Sequence, residues 1–408
     1  MTDTAATGAP LRVGMLWHSP NSGNLGVGAL TLGNLALARR AAEAAGITPH
    51  FELIGFADPG RAHYVSGPDI SVTELDGRAM LPGGALWQAL GRCDAVLDIG
   101  GGDSFTDIYG PKRFAYLWLS KLAARLQGKP LVLSPQTIGP FSKAWSRPLA
   151  SFILGRADKV FARDPKSLAA LRTLAPQVPA ALSADVAFAL PFEKRDHGAG
   201  THVGINVSGL LFNGGYSGAN EFGLEIDYPA FTRKLIAALL QRPGVKLHLV
   251  PHVLSDSLPQ DDDYRVAEAL KREFPRVVLA ERFAGAIEAK SYIAGLEMLV
   301  GGRMHACIAA HSSGVAVVPI AYSRKFAGLF QDLLDYPHLV PVTGIDTDDA
   351  LAFVLDAFER RAALAQDCLA SRDNVMALLD GYVGALETLL RSTGARAANA
   401  RRGALKRS

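Results

Sequence analysis

Leu299-Val300-Gly301-Gly302-Arg303-Met304-His305-Ala306 ends an apolar run in two glycines and opens a stretch of helical periodicity. Strand, tight turn and helix are expected in that order: Glu297–Val300, then Met304–Ser312, with a further strand over Val315–Ile320. The same alternation runs outward in both directions. Strands are expected at Leu11–Trp17, Phe51–Phe56, Ala95–Ile99, Pro130–Ser134, Lys159–Ala162, His202–Val207, Val245–Val250 and Val277–Leu279. Helices are expected at Ala29–Ala45, Phe114–Leu126, Ala144–Leu154, Ser167–Leu174, Phe231–Gln241 and Asp263–Glu273. Leu351–Leu390 supplies one or two long helices. Alternating strands and helices predict an α/β protein with doubly wound parallel sheets. The polar segment Pro191–Gly200 reads as a linker. The expected parts are an N-terminal doubly wound domain over 11–190, a second over 201–345, helices over 346–390 and a flexible basic tail over 391–408.

Of the 408 residues, 49% are hydrophobic and 20% charged, so the chain can bury a large core without disulfide or metal staples. Lys and Arg number 42 against 39 Asp and Glu, too balanced for nucleic acid as the main partner. The excess is local: Arg391, Arg396, Arg401, Arg402, Lys406 and Arg407 follow Leu389 with no acid among them. That tail reads as a solvated terminus, or as a weak contact with an anionic membrane surface. Cys93, Cys307 and Cys368 form neither a disulfide framework nor a metal site, and reduced thiols in a cytoplasmic protein are expected. Met1–Pro10 lacks the features of a signal peptide, and no run of 18 apolar residues is present. No metal is expected, since HExxH-like spacings and Cys/His clusters are missing.

In open parallel sheets, ligands sit beyond the carboxyl ends of the strands, so the polar residues at those positions are the candidates. After the first strand, Ser22-Gly23-Asn24-Leu25-Gly26 precedes a helix. Gly100-Gly101-Gly102-Asp103 follows the third strand, where a tight turn and a close ligand approach are equally good readings. Next come Gln136-Thr137, Arg163-Asp164 and Ser183-Ala184-Asp185. In the second half, His252 ends a strand, and the acidic run Asp261-Asp262-Asp263 reads as a solvated loop capping the next helix. Arg303 and His305 face the positive end of a helix, where an anion binds. Ser323, Arg324 and Lys325 follow the neighbouring strand. The residues point to a two-domain protein with an anion pocket for a phosphorylated small molecule, and spacing alone does not name the reaction.

The ordered set resembles the polysaccharide pyruvyl transferase family. It comprises the Ser22–Gly26 motif, Asp98-Ile99-Gly100-Gly101-Gly102, Gln136-Thr137-Ile138-Gly139-Pro140, Arg163-Asp164-Pro165-Lys166-Ser167 and Asp185-Val186-Ala187-Phe188. Val250-Pro251-His252, Gly302–Ala306 and Ala321-Tyr322-Ser323-Arg324-Lys325 complete it. The resemblance spans roughly residues 12–330 and implies a glycosyltransferase-B-like fold of two Rossmann-like domains facing a cleft. It further implies transfer of a pyruvyl group from phosphoenolpyruvate to two sugar hydroxyls as a ketal, in exopolysaccharide or cell-wall assembly, with no cofactor. The acceptor, a sugar or a lipid-linked oligosaccharide, is expected on the N-terminal domain and the donor on the C-terminal one. Arg303 and Lys325 are then expected on the phosphate, Arg163 on the carboxylate, His305 as the acid, and Asp103 or Asp185 as the base. Asn24, Gly26, Gly101, Gly102, Gln136, His252 and Ser323 complete the expected substrate contacts. One departure stands out: Val27 occupies the position where the family usually carries an acid. A sugar-nucleotide glycosyltransferase and a non-catalytic binding protein are the rival readings, and the apolar C-terminal helices leave room for a homodimer.

Overall fold

The computed structural model describes residues 9–101 and 104–405, with side chains through residue 399. Gly102 and Asp103, both expected near the substrates, lie outside the described residues. The chain divides into two compact units, each built on a parallel sheet. The first takes the residues up to Pro20, Asn34–Asp185 and the chain from Leu378 onward, and the second takes Asn21–Gly33 and Val186–Ala377.

The first unit contains β1 (Leu11–Leu16), β2 (Pro49–Gly55), β3 (Ile70–Glu74), β4 (Ala95–Asp98), β5 (Ser104–Phe105), β6 (Leu131–Ile138), β7 (Lys159–Ala162) and β8 (Ala180–Leu182). Their order is β3-β2-β1-β4-β6-β7-β8, with β5 paired to β6. The order reverses direction between β1 and β4, which pair in register from Val13 opposite Ala95 to Leu16 opposite Asp98. That reversal opens a crevice at the carboxyl ends of both strands. The second unit contains β9 (Thr201–Asn206), β10 (Val245–Leu249), β11 (Val278–Leu279), β12 (Met298–Gly301), β13 (Ala316–Ala321) and β14 (Val340–Pro341). Their order is β11-β10-β9-β12-β13-β14, and the reversal falls between β9 and β12. Val203, Ile205, Leu247, Leu249, Met298 and Val318 from its central strands are all at most 3% exposed. Helices Tyr228–Leu240, Asp263–Glu273 and Thr347–Glu359 add their apolar sides to the same core.

Several elements depart from the sequence reading. β3 (ISVTE) is half-buried and polar, so it lacks the apolar run that marks a central strand. Helices Ala85–Arg92 and Ala286–Ala294 were not expected. The division falls after Asp185, ahead of the polar Pro191–Gly200 segment. The helix expected from Ala29 starts at Leu25, and its first turns, with the Ser22–Gly26 motif, belong to the second unit. The expected flexible tail is helical as far as the structure describes it, within Arg372–Leu405. That helix groups with the first unit because Tyr382 is buried in a polar cluster there. The Tyr382 hydroxyl lies 2.9 Å from Asn34 Oδ1 and 2.8 Å from Ser134 Oγ. Asn34 Nδ2 donates to Ser134 Oγ and to His18 Nε2. Burial holds His18 neutral, with its pKa lowered to about 4.

Candidate active site

At the reversal point of the second unit, Asn206 ties three strand ends together. Its Nδ2 donates to Val250 O at 2.8 Å, its Oδ1 accepts from Arg303 N at 2.8 Å, and its carbonyl accepts from Gly302 N at 3.0 Å. Beneath it lies Asp263, fully buried. Its Oδ1 accepts from Gly209 N at 2.8 Å and from Arg303 Nη2 at 2.7 Å. Its Oδ2 accepts from the amides of His252 and Val253, each at 3.1 Å. Donors on both of its oxygens offset the cost of burying it.

Asp261 closes the arrangement, accepting from Arg303 Nη2 at 2.6 Å. The acidic run is therefore not a simple solvated loop. Asp262 caps the helix by accepting from Tyr264 N, whereas Asp261 and Asp263 grip Arg303. Burial opposes the charge on Arg303, and the two carboxylates more than offset it, so its pKa moves up. Two carboxylates around one guanidinium leave a net −1, so Arg303 is not the free cation that the phosphate role assumed. Its Nη2 and Nε serve the carboxylates, leaving Nη1 without a hydrogen bond among the described residues.

His305 stands in the first turn of helix Met304–Ser312, where it meets the Ser22–Gly26 motif. A Cβ on Gly26 would come within 2.4 Å of His305 Nδ1, so only glycine fits there. The motif is held from the other side by backbone bonds. Leu25 N donates to His252 O at 3.1 Å, Leu254 N donates to Gly23 O at 2.9 Å, and Asn24 bridges Val253. Asn24 Oδ1 accepts from Gly26 N, ordering the turn, and the Asn24 residue is exposed. His252 is buried, and burial followed by the nearby charges of His305 and Arg303 lowers its pKa to about 3. Burial thus favours the neutral form of the ring. Ser323 and Lys325 follow β13, next to β12 in the sheet, and Tyr322 lies near enough to Arg303 to favour its charge. Val27 is half-exposed in the first turn of helix Leu25–Ala45.

The first unit holds the remaining candidates around its own reversal point. Gly100 and Gly101 both have positive φ, 73° and 70°, so the backbone alone requires glycine. Gln136 Nε2 donates to Asp98 O at 2.8 Å, and its buried Oε1 has no partner among the described residues. Arg163 and Asp185 are both buried and pair at 2.7 Å, with Arg163 Nε donating to Thr137 Oγ1. Asp185 therefore holds Arg163 in place. Arg163 spends one side of its guanidinium on that pair, while its buried Nη2 has no partner among the described residues.

Two features of this unit escaped the sequence reading. Lys121 and Asp98 form a fully buried ion pair at 3.1 Å. Burial pulls the Lys121 pKa down against the opposing pull of Asp98. Beside them is a cavity of about 320 Å³ lined by Trp17, Phe56, Tyr109, Lys112, Arg113 and Tyr116, among others. Trp17 has φ 64°, a strained conformation for a bulky residue, and its indole Nε1 donates to Ser120 Oγ at 2.8 Å. The Trp17 and Phe56 rings stand 5.4 Å apart, and Phe56 and Tyr116 stand 6.0 Å apart. Arg113 lies 4.7 Å over the Tyr109 ring and donates to Gly101 O at 2.7 Å. Among the described residues, no cluster of three or more His, Cys, Asp or Glu could hold a metal ion.

A family model described as polysaccharide pyruvyl transferase matches residues 34–324. The amylovoran biosynthesis protein AmsJ of Erwinia amylovora is 26% identical over 262 residues, covering 60% of this chain and 60% of AmsJ. Among solved structures, Anabaena HepE in complex with UDP-glucose superposes with a TM-score of 0.55 at 13% identity, over 95% of this chain and 100% of that one. The UDP-GlcNAc 2-epimerase of Neisseria meningitidis bound to UDP-GlcNAc gives 0.54 at 11% identity, over 95% and 99%. These likenesses establish the fold as glycosyltransferase-B-like, with two Rossmann-like domains.

Proposed function

The chain belongs to the polysaccharide pyruvyl transferase family, and on that premise we propose that it moves a pyruvyl group from phosphoenolpyruvate onto two hydroxyls of a sugar as a ketal, in the assembly of an extracellular polysaccharide. The observation that carries this reading is the convergence of three separate motifs in the second unit: Asn24–Gly26, His252 and Arg303–His305. A titratable ring there sits in the first turn of a helix beside a glycine-walled turn, and the helix N-terminus is the part of the arrangement suited to an anionic donor.

The chemistry follows from the donor. A proton from the His305 imidazolium goes to the methylene carbon of the enol, leaving an oxocarbenium centre that bears phosphate and carboxylate. A sugar hydroxyl attacks that centre and releases its proton. The C–O bond to phosphate then breaks, and the second hydroxyl closes the ketal. One hydroxyl proton replaces the one His305 gave, and the other leaves with phosphate. Arg303 offers the donor only Nη1, so the phosphate charge is assigned to Arg324 and Lys325 of the short helix after β13. We assign the acceptor sugar to the first unit, whose cavity presents aromatic faces to a pyranose and two cations to an anionic substituent.

The test is ligand-dependent thermal stability of the full chain with phosphoenolpyruvate, UDP and GDP, beside Lys325→Met. A ligand at 100 times its dissociation constant adds about 2.7 kcal/mol. Stabilisation by phosphoenolpyruvate, reduced in Lys325→Met, supports the reading. Stabilisation by a nucleotide diphosphate instead replaces it with glycosyl transfer.

A further inference from the structure

Residues 108–157 contain eight cations and no acid, the most one-sided stretch of the chain outside its terminus. Helices Pro111–Leu126 and Ser146–Leu154 come from this stretch and pack side by side. The Phe114 and Trp145 rings meet at 5.2 Å, the Trp118 and Phe152 rings at 6.0 Å, and the Trp118 indole donates to Leu149 O at 2.7 Å. Each helix buries one side in the core, and each also carries apolar residues on its outer side. Leu119 and Leu126 are exposed on one helix, the latter at 67%. Trp145 (46%), Leu149 and Phe152 are exposed on or beside the other, at a spacing of four and three residues. A surface helix of a water-soluble domain ordinarily carries a single apolar stripe.

Cations frame this outer face. Lys143, Arg147 and Arg156 are exposed, and none has a carboxylate partner among the described residues. Arg125 is the exception, paired with Asp158 at 2.6 Å.

We propose that this face docks on an anionic lipid bilayer. Trp145, Leu149 and Phe152 would enter the headgroup region while the surrounding cations meet lipid phosphates. Charge decides against a second copy of the chain as occupant, because a two-fold interface sets the same patch against itself, cation against cation. No described helix is long and apolar enough to cross a membrane, so the contact is peripheral. The site differs from the basic terminus, the membrane contact expected from the sequence.

The experiment is flotation of the full chain with vesicles of phosphatidylcholine alone and of phosphatidylcholine with phosphatidylglycerol. Binding to the anionic vesicles only is expected. Lys143→Gln with Arg147→Gln should lower partitioning by about thirtyfold, at roughly 1 kcal/mol per cation. Leu149→Ser with Phe152→Ser should lower it as well, with the thermal midpoint of each variant unchanged within about 2 °C. Neutralising Arg401, Arg402, Lys406 and Arg407 to Gln should leave binding intact. Failure of the wild-type chain to float, full binding by the face variants, or loss of binding in the terminal variant overturns the proposal. So does a solution dimer that the face variants split.

Discussion

The two units answer the same topological problem with opposite electrostatics. Each places a buried ion pair where its strand order reverses. In the first, Lys121 and Asp98 match one to one and are sealed from solvent, so the neighbouring cavity is shaped by rings. In the second, Arg303 faces two carboxylates, and the surplus negative charge sits beside two histidines. A balanced pair leaves its surroundings to shape and stacking. An unbalanced one creates a site whose charge responds to what binds and to proton movement, which is where chemistry is expected.

The largest test of that contrast is His305→Gln. A positioned proton donor contributes about 10²–10⁴-fold in rate, so turnover should fall by that factor while phosphoenolpyruvate still raises the melting temperature. Steady-state phosphate release with a diol acceptor reads the first quantity, and thermal shift the second. Full activity in this variant removes the second unit's claim to the chemistry.

The ion pairs themselves provide the next test. Asp98→Asn leaves Lys121 buried with no counter-charge, which costs about 3–5 kcal/mol in comparable cases. Deprotonation of Lys121 limits that loss, and its lowered pKa makes deprotonation easier. Asp263→Asn leaves Asp261 still bound to Arg303, so a smaller loss of about 1–3 kcal/mol is expected. Urea denaturation of both variants checks the order, and equal losses would mean that the surplus carboxylate has no electrostatic consequence.

Acid should also separate the units. Burial lowers His18 in the first unit to about 4, and lowers His248, His252 and His311 in the second to about 3, 3 and 4. Unfolding restores each ring to its ordinary 6.5, so below that pH the unfolded chain binds protons that the folded chain refuses. Stability then falls as pH drops from about 6.5 towards 4, on the order of 1 kcal/mol per histidine per pH unit. With three such rings against one, the second unit should melt first at pH 5. Calorimetry at pH 7 and pH 5 would show its transition moving down further, and parallel shifts would contradict the assignment.

The alternation of apolar runs and amphipathic stretches was enough to read the central strands of both sheets, because buried parallel strands carry their signal in consecutive residues, whereas the short or polar β3, β5, β8 and β14 were missed. Lys159–Ala162, Asp263–Glu273 and Met304–Ser312 are observed at their expected bounds. Charge pairing was not legible. Nothing in the spacing shows that Asp263 lies beneath Arg303, 40 residues away, or that Lys121 turns inward from a helix with Lys and Arg on it. The only hint for Asp263 was an acidic run just after a strand-end histidine. Asn206 had a similar cue, a single amide at the end of an apolar strand. The Ser22–Gly26 motif was legible as a turn and His305 as a ring at a helix start, whereas their meeting across the fold was not.

The smallest effect expected is at the cavity of the first unit. Trp17 holds a left-handed backbone conformation at the carboxyl end of β1, a strain of order 1–3 kcal/mol that its indole hydrogen bond and ring contacts must offset. Phe56 is exposed at the rim and packs on both Trp17 and Tyr116, so it can lose its ring without opening the core. Phe56→Ala should therefore leave the melting temperature within a few degrees of wild type and raise the acceptor KM by about five- to tenfold, the loss of roughly 1 kcal/mol of stacking. Because the ring takes no part in proton transfer, kcat should hold. A fall in kcat comparable to that of His305→Gln would place chemistry in the first unit and erase the division of labour. An unchanged KM would leave the aromatic cavity without an acceptor and confine recognition, like catalysis, to the second unit.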